Sequence, residues 1–212
     1  MKHIYCISGF AADERVFVHL NVGENIMHFI PWKIPQKDES ITSYAHSMRQ
    51  DIKHVNPVLV GLSFGGMISI EIAKEMEVEK IILLSSISTF HEMPWYMKIA
   101  GKLHLNKVIP LRPYSFLEWL ENYTLGVQTP EEEQLVREYR KNLNFQYSDW
   151  AIDQVLNWKN DWYPPHLIHI HGSKDHIFPV KKVKADYIIK DGGHLMLMNK
   201  AGEVNEILKK VL

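Results

Sequence analysis

One serine lies where the surrounding sequence could make its hydroxyl a nucleophile. Ser63 is the centre of Gly61-Leu62-Ser63-Phe64-Gly65, between a short β-branched run and a helix-like stretch that begins at Met67. A sharp strand-to-helix turn strains the serine backbone and brings the main chain so close that a Cβ two positions away would collide. Gly61 and Gly65 therefore indicate such a turn, which would lift Oγ of Ser63 clear of a sheet.

The same five-residue pattern also arises by chance in ordinary loops that contain glycine and serine. The flanking residues favour the chemical interpretation. Pro57 to Gly61 is typical of a buried parallel strand, and the residues from Gly65 to Met76 can continue as a helix.

A serine hydroxyl needs a base to take its proton, and the base needs a carboxylate to fix its tautomer. The chain contains 12 histidines, so position must select among them. His194 follows two glycines on a loop between the last strand-like run and the last helix-like run, which would place it at the same sheet edge as Ser63. We predict that His194 is the base; the alternative is a surface loop histidine.

We expect the carboxylate that orients the base on the loop after the strand-like run Leu167 to His171, and Asp175 lies near the start of that loop. Asp175 could instead stabilise a turn or pair with Lys174. Asp191 is the rival, but it lies only three positions before the base and is better placed to shape the turn. The loop 86–89, after the fourth strand-like run, contains no carboxylate, which supports Asp175 by elimination.

Backbone amides could stabilise the charge that such chemistry develops. An oxyanion needs two converging donors. The N–H of Phe64, directly after the serine, can supply one, and the N–H of Phe10, in the Ser8-Gly9-Phe10 turn after the first strand-like run, can supply the other. Turns that contain glycine are common after a first strand, so this assignment depends on the turn at Ser63.

Strands that alternate with helices must position these residues. Such alternation predicts an α/β fold with a mostly parallel sheet of about six strands and helices on both faces. Chemistry in these sheets gathers at the carboxyl ends of the strands. The predicted strands are His3 to Ser8, Ile26 to Pro31, Pro57 to Gly61, Lys80 to Ser85, Leu167 to His171 and Ala185 to Ile189, and the clearest helices are Ser40 to His54, Gly65 to Met76 and Ala201 to Leu212.

The alternation stops in the middle of the chain. We predict a core formed by residues 1–88 and 161–212 and a helical cap inserted at 89–160, where Thr129-Pro130-Glu131 is a strong helix start. Most aromatic side chains in this stretch should pack against one another inside the cap, and a few should line an apolar slot above the serine. They are Trp95, Tyr96, Phe116, Trp119, Tyr123, Tyr139, Phe145, Tyr147, Trp150 and Trp158.

The turn at Ser63 and the order Ser63, Asp175, His194 resemble the α/β-hydrolase family, whose nucleophile, acid and histidine follow one another in that order. The resemblance covers residues 1–88 and 161–212. It implies a hydrolase fold with a variable cap, here without the first two strands of the family sheet. Many relatives have His-Gly where this chain has Ser8-Gly9, and the cap matches no particular subfamily.

The resemblance implies a serine hydrolase that needs no cofactor and cleaves an ester, or a thioester, of a small to medium, partly apolar acyl compound. A serine at position 63 argues against relatives that use aspartate there, the haloalkane dehalogenases and epoxide hydrolases. The alternatives are carbon–carbon bond hydrolysis or a lyase reaction on the same three residues, or a non-catalytic ligand-binding protein that keeps the fold.

Composition limits the other functions. A formal net charge of −1 gives no general attraction for nucleic acid. The single cysteine, Cys6, excludes an internal disulfide framework and a cysteine-based zinc site. No apolar stretch approaches the roughly 18 residues that span a bilayer, and no secretory signal follows Met1, so we expect a soluble, cytoplasmic monomer or homodimer acting on a small molecule.

We expect no metal site. His166, His169 and His171 have residue types that bind metals, but the last two alternate along one face of a strand and have no obvious carboxylate companion in the sequence. Packing or hydrogen bonding is the better interpretation of these histidines.

Overall fold

A parallel sheet forms the centre of the structure, a computed structural model that describes residues 1–108 and 118–212. Within these residues the sheet has six strands in the order β2-β1-β3-β4-β5-β6, and every neighbouring pair is parallel. The strands are β1 His3–Ile7, β2 Ile26–Phe29, β3 Val58–Leu62, β4 Lys80–Leu84, β5 Leu167–Gly172 and β6 Tyr187–Ile189. The predicted fold class is confirmed, and each predicted strand overlaps an observed one.

The last strand shows why a predicted boundary shifts. The sequence predicts a start at Ala185, but β6 begins at Tyr187. A carboxylate oxygen of Asp186 accepts a hydrogen bond from the His169 N–H at 2.8 Å, so a side chain takes the place of a backbone partner there. The strand propensities of the residues do not reveal where a side chain replaces a backbone hydrogen-bond partner.

Helices cover both faces of the sheet because strand side chains alternate between two buried clusters. Leu59 and Ile81 face helices α1 and α2, whereas Val60 and Ile82 face helices α8 and α9. These helices are α1 Ile41–Arg49, α2 Phe64–Ala73, α8 Met196–Asn199 and α9 Ala201–Val211. Helix α1 begins one residue after the predicted Ser40, which is its N-cap and whose Oγ accepts from the Ser43 N–H, and it ends five residues before the predicted His54.

Between β4 and β5 the described residues contain helices and no strand, as predicted. Thr129 is the N-cap of α6 and Pro130 is its first residue, as the sequence indicated, and Thr129 also forms a capping box with Glu132. The predicted cap at 89–160 remains a prediction as a separate unit, and its residue Phe116 lies outside the described residues. The helices are α3 Trp95–Lys102, α4 Leu105–Val108, α5 Glu118–Leu125, α6 Pro130–Lys141 and α7 Phe145–Asn157.

Helix α7 joins this helical region to the rest of the fold. The Trp150 Nε1–H donates to the Glu39 carbonyl at 2.7 Å, and Gln146 donates to the Pro35 carbonyl at 2.8 Å. In the part of the chain that the structure describes, no helix is both long and apolar enough to cross a membrane.

Candidate active site

Ser63 occupies the turn between β3 and α2. Its backbone has φ 52° and ψ −119°, an unfavourable conformation for a residue with a Cβ. Three hydrogen bonds hold it there. The Ser63 N–H donates to the Leu84 carbonyl at 2.9 Å, and the Ser63 carbonyl accepts from the Gly66 N–H at 2.9 Å and from the Ser86 hydroxyl at 2.6 Å. The strain is therefore held by the sheet on one side and the helix on the other.

Glycine is required on both sides of this serine for steric reasons. A Cβ at Gly61 would lie 2.4 Å from Cα of Gly66, and a Cβ at Gly65 would lie 2.2 Å from the Ile7 carbonyl oxygen. The close approach proposed for Gly61 and Gly65 is present. Gly66, which the sequence analysis did not single out, is also crowded, because a Cβ there would lie 2.5 Å from Oγ of Ser86.

Replacing Gly65 with alanine should destabilise the fold by several kcal/mol, because the obstructing atoms belong to the backbone of β1 and its following residue and cannot rotate away. Urea unfolding would measure the loss. Gly202→Ala is the matched control: it lies in α9 with nothing within 4 Å of the new Cβ and should leave stability unchanged or slightly raised. Equal stability of the two variants would contradict the steric argument.

The structure brings the three predicted side chains together. Nε2 of His194 lies 2.8 Å from Oγ of Ser63, and its Nδ1 lies 2.8 Å from Oδ2 of Asp175. All three residues are buried, with Ser63 9% exposed. An ionised carboxylate can only accept, so Nδ1 carries the hydrogen and Nε2 of the neutral ring accepts from the serine hydroxyl. The arrangement can move a proton from Ser63 to His194.

The carboxylate of Asp175 is itself held in place. Its Oδ1 accepts from the N–H groups of Ile177 at 2.8 Å and Phe178 at 2.9 Å. Burial alone would raise the pKa of Asp175, but its electrostatic interaction and hydrogen bond with His194, together with His171 and the Phe178 N–H, outweigh burial and lower that pKa. Asp175 is therefore set to stay ionised beside the imidazole.

His171 also contacts this carboxylate, and the sequence did not predict that contact. Its Nε2 lies 2.7 Å from the Phe178 carbonyl oxygen and 3.4 Å from Oδ2 of Asp175. The carboxylate companion that the sequence did not reveal is therefore Asp175, four residues later. The clue in the sequence is that His171 and Asp175 lie four residues apart across the end of β5. This spacing brings the two side chains together only because the loop after β5 folds back.

The other two histidines near β5 differ in their surroundings. His169 is fully buried, with its Nε2 3.1 Å from Nδ1 of His171, whereas His166 is exposed. Burial, followed by the neighbouring His171, lowers the pKa of His169 to about 3. Burial is also the main cause of the lowered pKa of His171, opposed by the charge of Asp175.

These buried histidines should make the fold sensitive to acid. The folded pKa of His169, about 3, lies below its ordinary value of 6.5, so its contribution to stability is complete above pH 6.5 and is lost as the pH falls toward 3. Near pH 5 the unfolded chain binds about one more proton at this residue, which lowers stability by about 1.4 kcal/mol per pH unit. Urea unfolding of wild type and His169→Gln between pH 4.5 and 6 should show a shallower slope for the variant.

The control for this slope is His19→Gln, which changes an exposed histidine on a short connection after the first 3-10 turn. Its slope should match that of the wild type. Parallel slopes for all three proteins would show that His169 does not remain neutral in the folded state.

Asp191, the rival carboxylate, has a different partner. Its Oδ1 lies 2.8 Å from Nζ of Lys174, and its N–H donates to Oγ of Ser173 at 2.8 Å. Its backbone has φ 57°, so it shapes the turn before the two glycines that precede His194. The pairing with Lys174 that the sequence allowed for Asp175 is made by Asp191.

The turn after β1 borders the serine, as its proposed role requires. A Cβ at Gly9 would lie 3.4 Å from Cβ of Ser63, and the Gly9 carbonyl accepts from the Ala12 N–H at 3.1 Å. Phe10 is the second residue of that turn, so its N–H takes no part in the turn's own hydrogen bond, which the Ala12 N–H makes. Phe64 is the first residue of α2, so its N–H has no acceptor inside the helix. Both amides remain candidate oxyanion donors.

Aromatic residues of the helical region reach this site at two points. The ring of Tyr147 stacks on Phe10 with centroids 6.0 Å apart, and the ring of Tyr123 stacks on His176, next to Asp175, at 4.6 Å. Burial, followed by the charge of Asp175, raises the pKa of Tyr96. Trp158 is buried, and its Nε1–H donates to Oε1 of Glu71 at 2.8 Å.

No family model and no curated protein matches this sequence. Solved structures do match. The esterase EaEST from Exiguobacterium antarcticum is 16% identical over 99% of this chain and 91% of its own, with a TM-score of 0.73. MenH from S. aureus is 14% identical over 100% of this chain and 93% of its own, with a TM-score of 0.74.

A third similar structure is a meta-cleavage product hydrolase from Pseudomonas fluorescens, which is 14% identical over 100% of this chain and 90% of its own, with a TM-score of 0.70. All three cover nearly the whole chain, the helical region included. With the parallel sheet and its strand order, these similarities show that the chain has the α/β-hydrolase fold.

Proposed function

We propose that this protein is a serine hydrolase that cleaves an ester or a thioester through an acyl-enzyme, without a cofactor. The observation that carries the proposal is the unbroken chain of 2.8 Å contacts from Ser63 Oγ through His194 to Asp175. A hydroxyl is activated as a nucleophile by just this kind of base, itself oriented by a third group.

The proposed reaction has two halves that use the same groups. Oγ of Ser63 bonds to the carbonyl carbon while Nε2 of His194 takes its proton. The N–H groups of Phe10 and Phe64 bind the resulting oxyanion, and collapse breaks the bond to the leaving group, which receives the proton from His194. Water then loses a proton to His194, attacks the acyl carbon and releases the acid, and the proton returns to Ser63.

The surroundings of Ser63 support a substrate of limited size with an apolar part. The hydroxyl lies in a buried setting, with Ser63 only 9% exposed. The rings of Phe10 and Tyr147 stack close to the turn that borders it. A small to medium acyl group would gain from contact with these rings, whereas a bulky polar acid would leave its polar groups unpaired. A screen of p-nitrophenyl esters with graded acyl chains would define the preferred length.

Carbon–carbon bond hydrolysis or a lyase reaction is the second candidate. The observation in its favour is that the similarity to a meta-cleavage product hydrolase, with a TM-score of 0.70, is close to the similarity to an esterase, at 0.73. Product analysis in ¹⁸O-labelled water separates the two hydrolytic reactions by the bond that breaks, and a lyase product would carry no label.

A fluorophosphonate probe tests the proposal without knowledge of the natural substrate. It should react with the wild type, and mass spectrometry of the digested protein should place the adduct on Ser63, because among the serine and threonine hydroxyls of the described residues it is the one that lies 2.8 Å from an imidazole nitrogen. Ser63→Ala should not be labelled, and Ser43→Ala, which removes an exposed hydroxyl on α1, should react like the wild type. An adduct on another residue, or equal labelling of Ser63→Ala, would remove Ser63 from the mechanism.

A non-catalytic ligand-binding protein is the remaining alternative. Such a protein has no need of a buried carboxylate, an imidazole and a hydroxyl in hydrogen-bonded sequence, because a proton relay contributes nothing to binding. Ligand binding that survives Ser63→Ala, with no turnover of any ester, would favour it.

A further inference from the structure

Three histidines from separate parts of the chain meet at the edge of the sheet opposite to Ser63. His3 begins β1, His28 lies in β2 and His54 lies in the bend before β3. Ser63 follows the carboxyl end of β3, whereas His3 and His54 lie at the amino ends of their parallel strands. Nothing in the spacing of these three histidines in the sequence predicts their contact.

The three imidazoles form a compact group. Nδ1 of His3 lies 3.0 Å from Nε2 of His28, and the ring of His3 stacks on that of His54 with centroids 3.4 Å apart. One nitrogen from each residue can be chosen so that all three lie within 4.8 Å of one another. Three nitrogens around a tetrahedral Zn²⁺ lie about 3.3 Å apart, given Zn–N bonds of about 2.0–2.1 Å. Small side-chain rotations would therefore bring this group to that geometry.

The residue types of the group suit metal binding, because each of the three offers an imidazole nitrogen as a ligand. Among the described residues, these three histidines are the group whose possible ligand atoms lie close enough together to hold a metal ion.

A fixed phenol supports one of the rings. Oη of Tyr5 lies 2.6 Å from Nδ1 of His54 and accepts a hydrogen bond from the Lys53 N–H at 3.0 Å. Outer hydrogen bonds of this kind hold a ligating imidazole in position. The planes of His3 and His54 are 7° from parallel, so one of the two rings has to turn before both lone pairs point at one ion.

We propose that His3, His28 and His54 bind a late first-row divalent cation such as Zn²⁺ or Co²⁺, with water completing the coordination. An all-imidazole donor set suits these ions and not Mg²⁺ or Ca²⁺, which prefer oxygen. The ion would join β1, β2 and the chain before β3, far from the triad. The proposal does not depend on the proposed hydrolase activity.

The test uses untagged protein freed of metal and titrated with Zn²⁺ against a chromophoric chelator at pH 7.5. Wild type should bind one equivalent at this site and unfold at a higher temperature with Zn²⁺ than without it. His28→Gln and His54→Gln should each weaken Zn²⁺ binding by about 10-fold or more and lose the thermal shift. His19→Ala, which removes an exposed histidine elsewhere, should bind like the wild type.

A second measurement on unmutated protein keeps the proposal falsifiable if a variant does not fold. Co²⁺ should give the visible absorption of a tetrahedral nitrogen site, and its paramagnetism should first broaden the NMR signals of His3, His28 and His54. Broadening that begins at the buried histidines near β5 or at His194 would overturn the proposal. So would the absence of Zn²⁺ binding, or equal binding by wild type and a folded His54→Gln.

Discussion

Replacing Ser63 with alanine should lower kcat for the best ester found in a screen by about 10⁶-fold, because the variant has no atom to form the acyl-enzyme. The fold should persist, since the hydroxyl of Ser63 makes its contact with His194 alone among the described residues. Steady-state hydrolysis, measured with enough enzyme to detect a few turnovers per day, would show the loss. Circular dichroism would show that the protein is folded.

A double variant sharpens this result. If Ser63 and Asp175 act as one unit, Ser63→Ala combined with Asp175→Asn should be no slower than Ser63→Ala alone, because the carboxylate matters only through the serine. Losses that multiply would show that the two residues act independently. A Ser63→Ala variant that keeps more than one tenth of the wild-type rate would end the serine mechanism.

The sheet was predictable because its signals are local. Runs such as Lys80 to Leu84 are short, β-branched or apolar, and bounded by turn residues, so each strand could be found without knowledge of its partners. Their parallel arrangement followed from the helices between them. Boundaries were less predictable where a side chain replaced a backbone partner, as Asp186 does at the start of β6.

The candidate site was predictable to the extent that topology alone determines it. Ser63, Asp175 and His194 each follow a strand, so a parallel sheet carries all three to one edge. The contacts of His171 with the loop after β5 and of Ser86 with the carbonyl of Ser63 depend on how loops fold back. No sequence spacing encodes those distances, nor the meeting of the three histidines at the opposite edge.

Asp175→Asn should lower kcat by about 10⁴-fold while leaving the nucleophile and its base in place. An amide that presents its NH₂ to Nδ1 of His194 favours the tautomer with the hydrogen on Nε2, which cannot accept the proton of Ser63. An amide that presents its oxygen instead still lacks the negative charge that stabilises the imidazolium. The pair of backbone donors on Oδ1, from Ile177 and Phe178, favours the first orientation, because the amide oxygen would keep both bonds.

Asp191→Asn is the matched control for that variant. It makes the same chemical change in the loop that carries His194, but its carboxylate is exposed and pairs with Lys174, so kcat should change less than twofold. Esterase rates of both variants, compared with wild type at one pH, decide between the two carboxylates. If Asp191→Asn were the slow variant, Asp191 would be the partner of the base. If both variants kept wild-type rates, His194 would need no carboxylate, and the 2.8 Å contact with Asp175 would serve only the packing of the loop.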